Sequence, residues 1–150
     1  MPVRAIRSLA FEDLTLGLSE LVFKTVTDQD IVGFADISGD QNPIHLNELY
    51  ASKTRFGQRI AHGLYTASLI SAVIGTRLPG PGAIYMSQTL NFKAPVKIGD
   101  VVRIHVEVAE LIEGRQRARL ACECAVDATV VLDGEAWVRV PSRLELMSAA

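Results

Sequence analysis

Val102-Arg103-Ile104-His105-Val106-Glu107-Val108-Ala109 sets an apolar β-branched residue at every second position, with polar or small residues between them. A period of two belongs to a strand with one face in a core and the other in water. The rhythm recurs downstream, where Ala118, Leu120, Cys122, Cys124 and Val126 are set against Arg117, Arg119 and Glu123, and Ala136, Val138 and Val140 against Glu135, Trp137 and Arg139. Strands that are half wet in this way pair antiparallel. Upstream, residues 21–26 and 84–92 read as two more strands, the second preceded by the turn residues Pro79-Gly80-Pro81-Gly82.

The first half of the chain changes period. Thr27 and Asp30 form a capping box, and Ile31, Phe34 and Ala35 follow at helical spacing until Gly39 stops the run. A second, short helix is expected after Asn47. Residues 64–76, LYTASLISAVIGT, carry apolar residues all round with small hydroxyl residues between them. They are expected as a helix about 20 Å long, enclosed on every side. About five antiparallel strands and one enclosed helix pack most simply as an α+β domain, with the helix along the concave face of a curved sheet.

Composition agrees with a single domain over residues 1–150. The chain has 150 residues, 49% apolar and 21% charged, which excludes disordered, collagenous and coiled-coil classes. Lys and Arg total 15 against 17 Asp and Glu, a net charge of −2, so nucleic acid is not an expected partner. The first fourteen residues lack the apolar run of a secretory signal, and residues 60–76 are too short and too polar to span a bilayer. A cytoplasmic location and no membrane partner are expected. Cys122 and Cys124 are neither a C-x-x-C pair nor half of a visible zinc site, and as residues two apart on a strand both are expected in the core. His105 and Trp137 fall on the outer face, and an exposed indole hints at a covering partner.

The segment most suited to chemistry is Ser38-Gly39-Asp40-Gln41-Asn42-Pro43-Ile44-His45. It places a carboxylate and an imidazole five positions apart on a loop pinned by Gly39 and Pro43, where both side chains can address one water molecule. The residues alone also allow a structural reading, because Gly-Asp and Asn-Pro are turn dipeptides and Asp40 could bond local amides. A second feature is Ala61-His62-Gly63-Leu64 at the start of the enclosed helix. Unpaired amides at a helix start, beside a glycine that lets a ligand approach, suit a carbonyl oxygen gaining negative charge, while His62 could simply pack or cap. Together the two features describe addition or removal of water next to a polarised carbonyl. No nucleophile elbow, Walker loop or dinucleotide fingerprint occurs, no spacing enforces a metal site on Asp40, His45 and His62, and none is expected.

The Ser38 to His45 motif resembles the hydratase 2 motif of MaoC-like proteins, the (R)-specific enoyl-CoA hydratases of the hot-dog fold. The flanks agree: Phe11-Glu12-Asp13-Leu14 with Gly17, Arg59-Ile60-Ala61-His62-Gly63-Leu64, and Phe92 to Asp100 reading FKAPVKIGD. The resemblance covers about residues 11–140. It implies that Asp40 and His45 are the catalytic pair holding the attacking water, that Asn42 shapes the loop with Ser38, Gly39 and Pro43, and that the Gly63 amide bonds the thioester oxygen. It also implies reversible syn hydration of a trans-2-enoyl thioester to the (R)-3-hydroxyacyl thioester. No cofactor is required, the carrier is CoA in preference to acyl carrier protein, and the assembly is a homodimer with its active-site tunnels at the subunit interface. The chain departs at Asn47, where many relatives carry Asp; since Asn caps a helix as well, little effect is expected. The acyl tail is expected to run along the central helix past Thr66, Ser68 and Ser71, with room for about four to eight carbons at roughly 0.8 kcal/mol per buried methylene. A hot-dog thioesterase and a non-catalytic partner subunit are the alternative readings.

Overall fold

The computed structural model describes residues 5–149; the outermost residues of the expected 1–150 domain, 1–4 and 150, lie outside it. After a 3₁₀ turn at Phe11–Asp13 the order is β1 Ser19–Thr25, α1 Asp28–Ser38, α2 Pro43–Leu46, α3 Glu48–Ser52, α4 Gly63–Thr76, β2 Ile84–Gln88, β3 Asn91–Phe92, β4 Val101–Ile112, β5 Arg117–Val126, β6 Thr129–Arg139 and α5 Arg143–Ser148. All strand pairs are antiparallel, in the order β1-β4-β5-β6-β2, with β3 also on β6. The α+β architecture is the one the alternation implies.

The two periods decide the packing. On β4, Val102, Ile104, Val106 and Val108 are all buried, and across the ladder Ala118, Leu120, Cys122 and Cys124 of β5 face the same core. Burial pushes the Cys122 thiol up to about 11 and that of Cys124 to about 12, so both behave as core residues. Val126 departs from its expected place. The register shifts between Cys124 and Ala125, so that Ala125 is buried while Val126 is half-buried.

The expected strand over 84–92 is two strands. At the break the Thr89 carbonyl runs so close to Gly134 of β6 that a Cβ there would lie 1.8 Å from its oxygen, and Thr89 exchanges bonds with Glu135 through its amide and its hydroxyl, both 2.9 Å. Periodicity carries no trace of such a crossing, which depends on a residue more than forty positions away.

Helix α4 corrects a larger expectation. It packs on β4 and β5 through a stripe made of Tyr65, Thr66, Ile70, Val73 and Ile74. The opposite stripe, Leu64, Ser68, Ser71, Ala72 and Gly75, is open, with Leu64 59% exposed. One chain therefore encloses the helix on one side only. The hydroxyl and small residues that looked like spacers in an all-round apolar helix, Ser68, Ser71, Ala72 and Gly75, recur at i, i+3, i+4 and i+7 in line with Leu64, which is a face.

Because Ile104 is 1% exposed, Ile104→Ala should cost about 2–5 kcal/mol through lost burial and a residual cavity. Ser71→Ala, on the open stripe, should cost under about 0.5 kcal/mol. Urea denaturation of the two variants measures the difference, and equal costs would contradict this core.

Candidate active site

Helix α1 begins at its capping box, Thr27 with Asp30, and ends where Gly39 takes φ 79° and its amide bonds the Ala35 carbonyl. A left-handed residue there is cheap only for glycine or asparagine. The following residues are tied back onto that helix end. Ser38 Oγ donates to the Phe34 carbonyl at 2.6 Å and accepts from the Asp40 amide at 3.1 Å, and Gln41 Nε2 donates to the Ala35 carbonyl at 3.0 Å. Asp40 then divides its two oxygens. Oδ1 accepts the Asn42 amide at 3.2 Å, and Oδ2 lies 3.9 Å from His45 Nε2. The local turn and the site are both present, on different atoms of one carboxylate.

Where the sequence suggests a pinned loop, the structure has a turn of helix. Asn42 accepts the Ile44 amide at 3.1 Å as the N-cap of α2, and Pro43 is its first residue. That Asn-Pro signal is legible as a cap followed by a proline at the first helical position. Asn47 ends α2 and caps α3 through the Tyr50 amide at 2.9 Å, as expected.

His45 is 8% exposed. Its Nδ1–H donates to the Ile60 carbonyl at 2.8 Å, which leaves Nε2 as the unprotonated nitrogen facing Asp40 when the ring is neutral. Burial pushes its pKa below the ordinary 6.5; the Ile60 carbonyl opposes that, His62 lowers it further, and Asp40 raises it. Arg59, which the sequence offered only as part of a flanking motif, donates from Nε to the His45 carbonyl at 2.6 Å and from Nη1 to Asp28 at 2.7 Å. His62 is 2% exposed; its ring stacks on His45 with centroids 3.8 Å apart, and its Nε2–H donates to the Asp40 carbonyl at 3.0 Å.

These groups border a cleft of about 650 Å³ that runs between the start of α4 and the strands β3 and β6. Gly63 opens α4 at its rim. The first amides of a helix lack internal partners, and the His62 side chain makes no capping bond to them. A Cβ on Gly63 would lie 2.6 Å from the Phe92 ring, so a side chain here would have to displace that ring from the cleft wall. Thr66, one turn on, lines the buried part of the cleft with Val96, Val131 and Leu132. Ser68 and Ser71 do not; within one chain they lie on the open stripe of α4.

Asp40, His45 and His62 offer ligand atoms that all lie within 4.8 Å of one another. The two rings stack at 26° to each other, and each already spends one nitrogen on a backbone carbonyl. Lone pairs in nearly parallel planes converge poorly on a tetrahedral ion.

The model of the MaoC like domain matches residues 20–129. The 3-hydroxybutyryl-CoA dehydratase of Methylorubrum extorquens is 66% identical over 140 residues, 93% of this chain and 89% of the relative. The (R)-specific enoyl-CoA hydratase of Rhodospirillum rubrum is 51% identical, over 89% of this chain and 92% of its own length. Among solved structures, the unliganded R-hydratase PhaJ1 of Pseudomonas aeruginosa superimposes with a TM-score of 0.88 at 40% identity, covering 92% of this chain and 89% of that one.

The His45 environment has a measurable consequence. A histidine whose folded pKa lies below the ordinary 6.5 gives stability that is fully present above 6.5 and lost as pH falls through the depressed folded value. Imidazole NMR should place the His45 midpoint below 6.5, with Nδ1 carrying the proton of the neutral ring. A midpoint above 6.5 would contradict this environment.

Proposed function

The chain belongs to the MaoC-like dehydratase family, and on that premise we propose that it is an (R)-specific enoyl-CoA hydratase. It catalyses the reversible syn addition of water to a trans-2-enoyl-CoA. The observation that carries the reading is the approach of Asp40 Oδ2 to His45 Nε2, 3.9 Å, on the wall of the cleft that opens at Gly63. Two acceptors at that separation can bracket a single water.

The steps follow from the groups present. The thioester oxygen accepts the Gly63 amide, so negative charge can accumulate on it as the double bond is attacked. Water bonds Asp40 and the free Nε2 of His45, and its oxygen adds to Cβ while its proton passes to the pair. The π electrons of the double bond move toward the thioester, and the resulting enolate takes a proton at Cα from the same side. Water is the only co-reactant, and the pair ends as it began. Dehydration is the reverse path through the same groups.

A short acyl chain is part of the proposal. The buried end of the cleft is walled by Thr66, Val96, Val131 and Leu132, and the relative with 66% identity is named for a four-carbon substrate. CoA is taken as the carrier on the names of that relative and the Rhodospirillum rubrum one. Among the described residues no helix is long and apolar enough to cross a membrane. A cytoplasmic location accords with two free, buried cysteines.

We also propose a homodimer. The open stripe of α4, made of small residues beside Leu64, and the outer edge of β2, where Ile84, Tyr85 and Met86 are exposed and no described strand pairs, are surfaces that a second copy can cover. In that arrangement Ser68 and Ser71 would meet the partner, and a tunnel wall they contribute to would form only in the assembly.

Loss of enoyl-thioester absorbance across crotonyl- to decenoyl-CoA tests the activity, with the highest kcat/KM expected at four to eight carbons. Asp40→Asn and His45→Ala should each lower kcat by on the order of 10² to 10⁴, and the double variant should be little worse, since both groups act on one water. Thiol release from saturated acyl-CoA in place of hydration would establish the thioesterase reading, and inactivity on every enoyl thioester the non-catalytic one. Sedimentation at micromolar concentration should show a dimer; a single-chain species would overturn the assembly.

A further inference from the structure

His62 has no step of its own in the hydration, yet it is the most constrained polar side chain near the pair. It is 2% exposed, stacked on His45 at 3.8 Å, flanked by Phe34 at 4.9 Å, and bonded through Nε2 to the Asp40 carbonyl at 3.0 Å. Since a carbonyl can only accept, Nε2 carries the proton. The remaining nitrogen, Nδ1, is buried and without a hydrogen-bond partner.

That orphan is informative. If the ring served only to fill space, phenylalanine would stack as well and bury no unpaired acceptor, so the histidine keeps a lone pair at a cost. What it gains is one donor, placed on the backbone of Asp40. The same residue is the N-cap of α4 and precedes Gly63 directly. One side chain therefore links three elements: the loop that carries the carboxylate, the helix turn that carries His45, and the helix start that carries the Gly63 amide.

Resting on the hydratase reading, we propose that His62 is a positioning residue for the hydration step, holding the Asp40 backbone through Nε2–H and the His45 ring through its face. The carboxylate, the imidazole and the Gly63 amide then keep a single register. The charged and titratable groups around His45 are Asp40 from the loop, His62 from the start of α4, Arg59 on its carbonyl with Asp28 as counter-charge, and Arg55 and Lys93 on the cleft wall, the last paired with Asp133. Of these, His62 is the one in ring contact, and it opposes protonation of His45.

Two variants separate its parts. His62→Phe keeps a ring and loses the donor, while His62→Gln keeps a donor close to the Nε2 position and loses the ring. With crotonyl-CoA, His62→Phe should lower kcat about 10²-fold, the penalty of a misplaced reacting group. KM should stay within about twofold, and His62→Gln should recover about tenfold of the loss in kcat by restoring the bond. Wild-type kcat in a folded His62→Phe would overturn the proposal, as would a His62→Gln no better than His62→Phe. Imidazole NMR on the unmutated protein needs neither variant to fold nor any activity. It should show a proton on His62 Nε2 held in a hydrogen bond, and a ring protonated only on Nδ1 would overturn the proposal while leaving the hydratase reading in place.

Discussion

The Ala61 amide bonds the Val96 carbonyl at 2.7 Å, and Ile60 bridges Lys97 beside it. That short contact fixes where α4 starts relative to the sheet, and nearly every group in the site is referred to it. The Ile60 carbonyl receives His45 Nδ1, the Ile60 amide bonds the Ile44 carbonyl at 3.3 Å, the next ring along bonds Asp40, and the next amide is that of Gly63. Of four consecutive residues, Ile60 thus meets the imidazole, Ala61 the Val96 carbonyl, His62 the carboxylate loop and Gly63 the cleft. A shift of that segment by one residue would misplace all of them at once.

Arg59 extends the same logic outward. Its guanidinium joins the His45 carbonyl to Asp28 in the first turn of α1, so the last residue of the motif is tied to the start of α1 by one planar group with donors on two edges. Asp28 there also suits the positive end of the helix dipole. The exposed location of Asp28 makes the ion pair worth little by itself in water. The directional bond to a buried carbonyl is what locates His45.

The fold was legible where its cause is local. The alternation at Val102 to Val108, the capping box at Thr27 and the Asn47 cap all act within a few residues, and each is found where the pattern places it. The approach of Asp40 to His45 was legible because turn chemistry is local, whereas the place of Gly63 beside them was implied only by the resemblance. What escaped depends on distant partners. The break at Thr89 needs Gly134, the register slip that leaves Val126 half-buried needs the β5–β6 pairing, and the role of Arg59 needs Asp28. The open stripe on α4 was misjudged for another reason: apolar residues all round a helix do not say that its own chain covers every face.

That stripe bears on the chemistry. Asp40 is still half exposed, its side chain at 51%, and bulk water screens the attraction of an exposed carboxylate for a bound water. The same cleft already has a nearly dry half, with His45, His62 and Thr66 buried. Its wet side is bordered by Leu64, the first residue of the open stripe and the immediate neighbour of Gly63. Covering α4 would therefore bury apolar surface and, through Leu64, narrow the opening beside the thioester site. Entry of the acyl chain would displace water from the apolar walls near Val96 and Leu132. Each event raises the electrostatic strength of the pair without moving it. On the proposed reading the hydrogen-bonded parts set the geometry in advance, and the exclusion of water falls to a second copy and to the substrate.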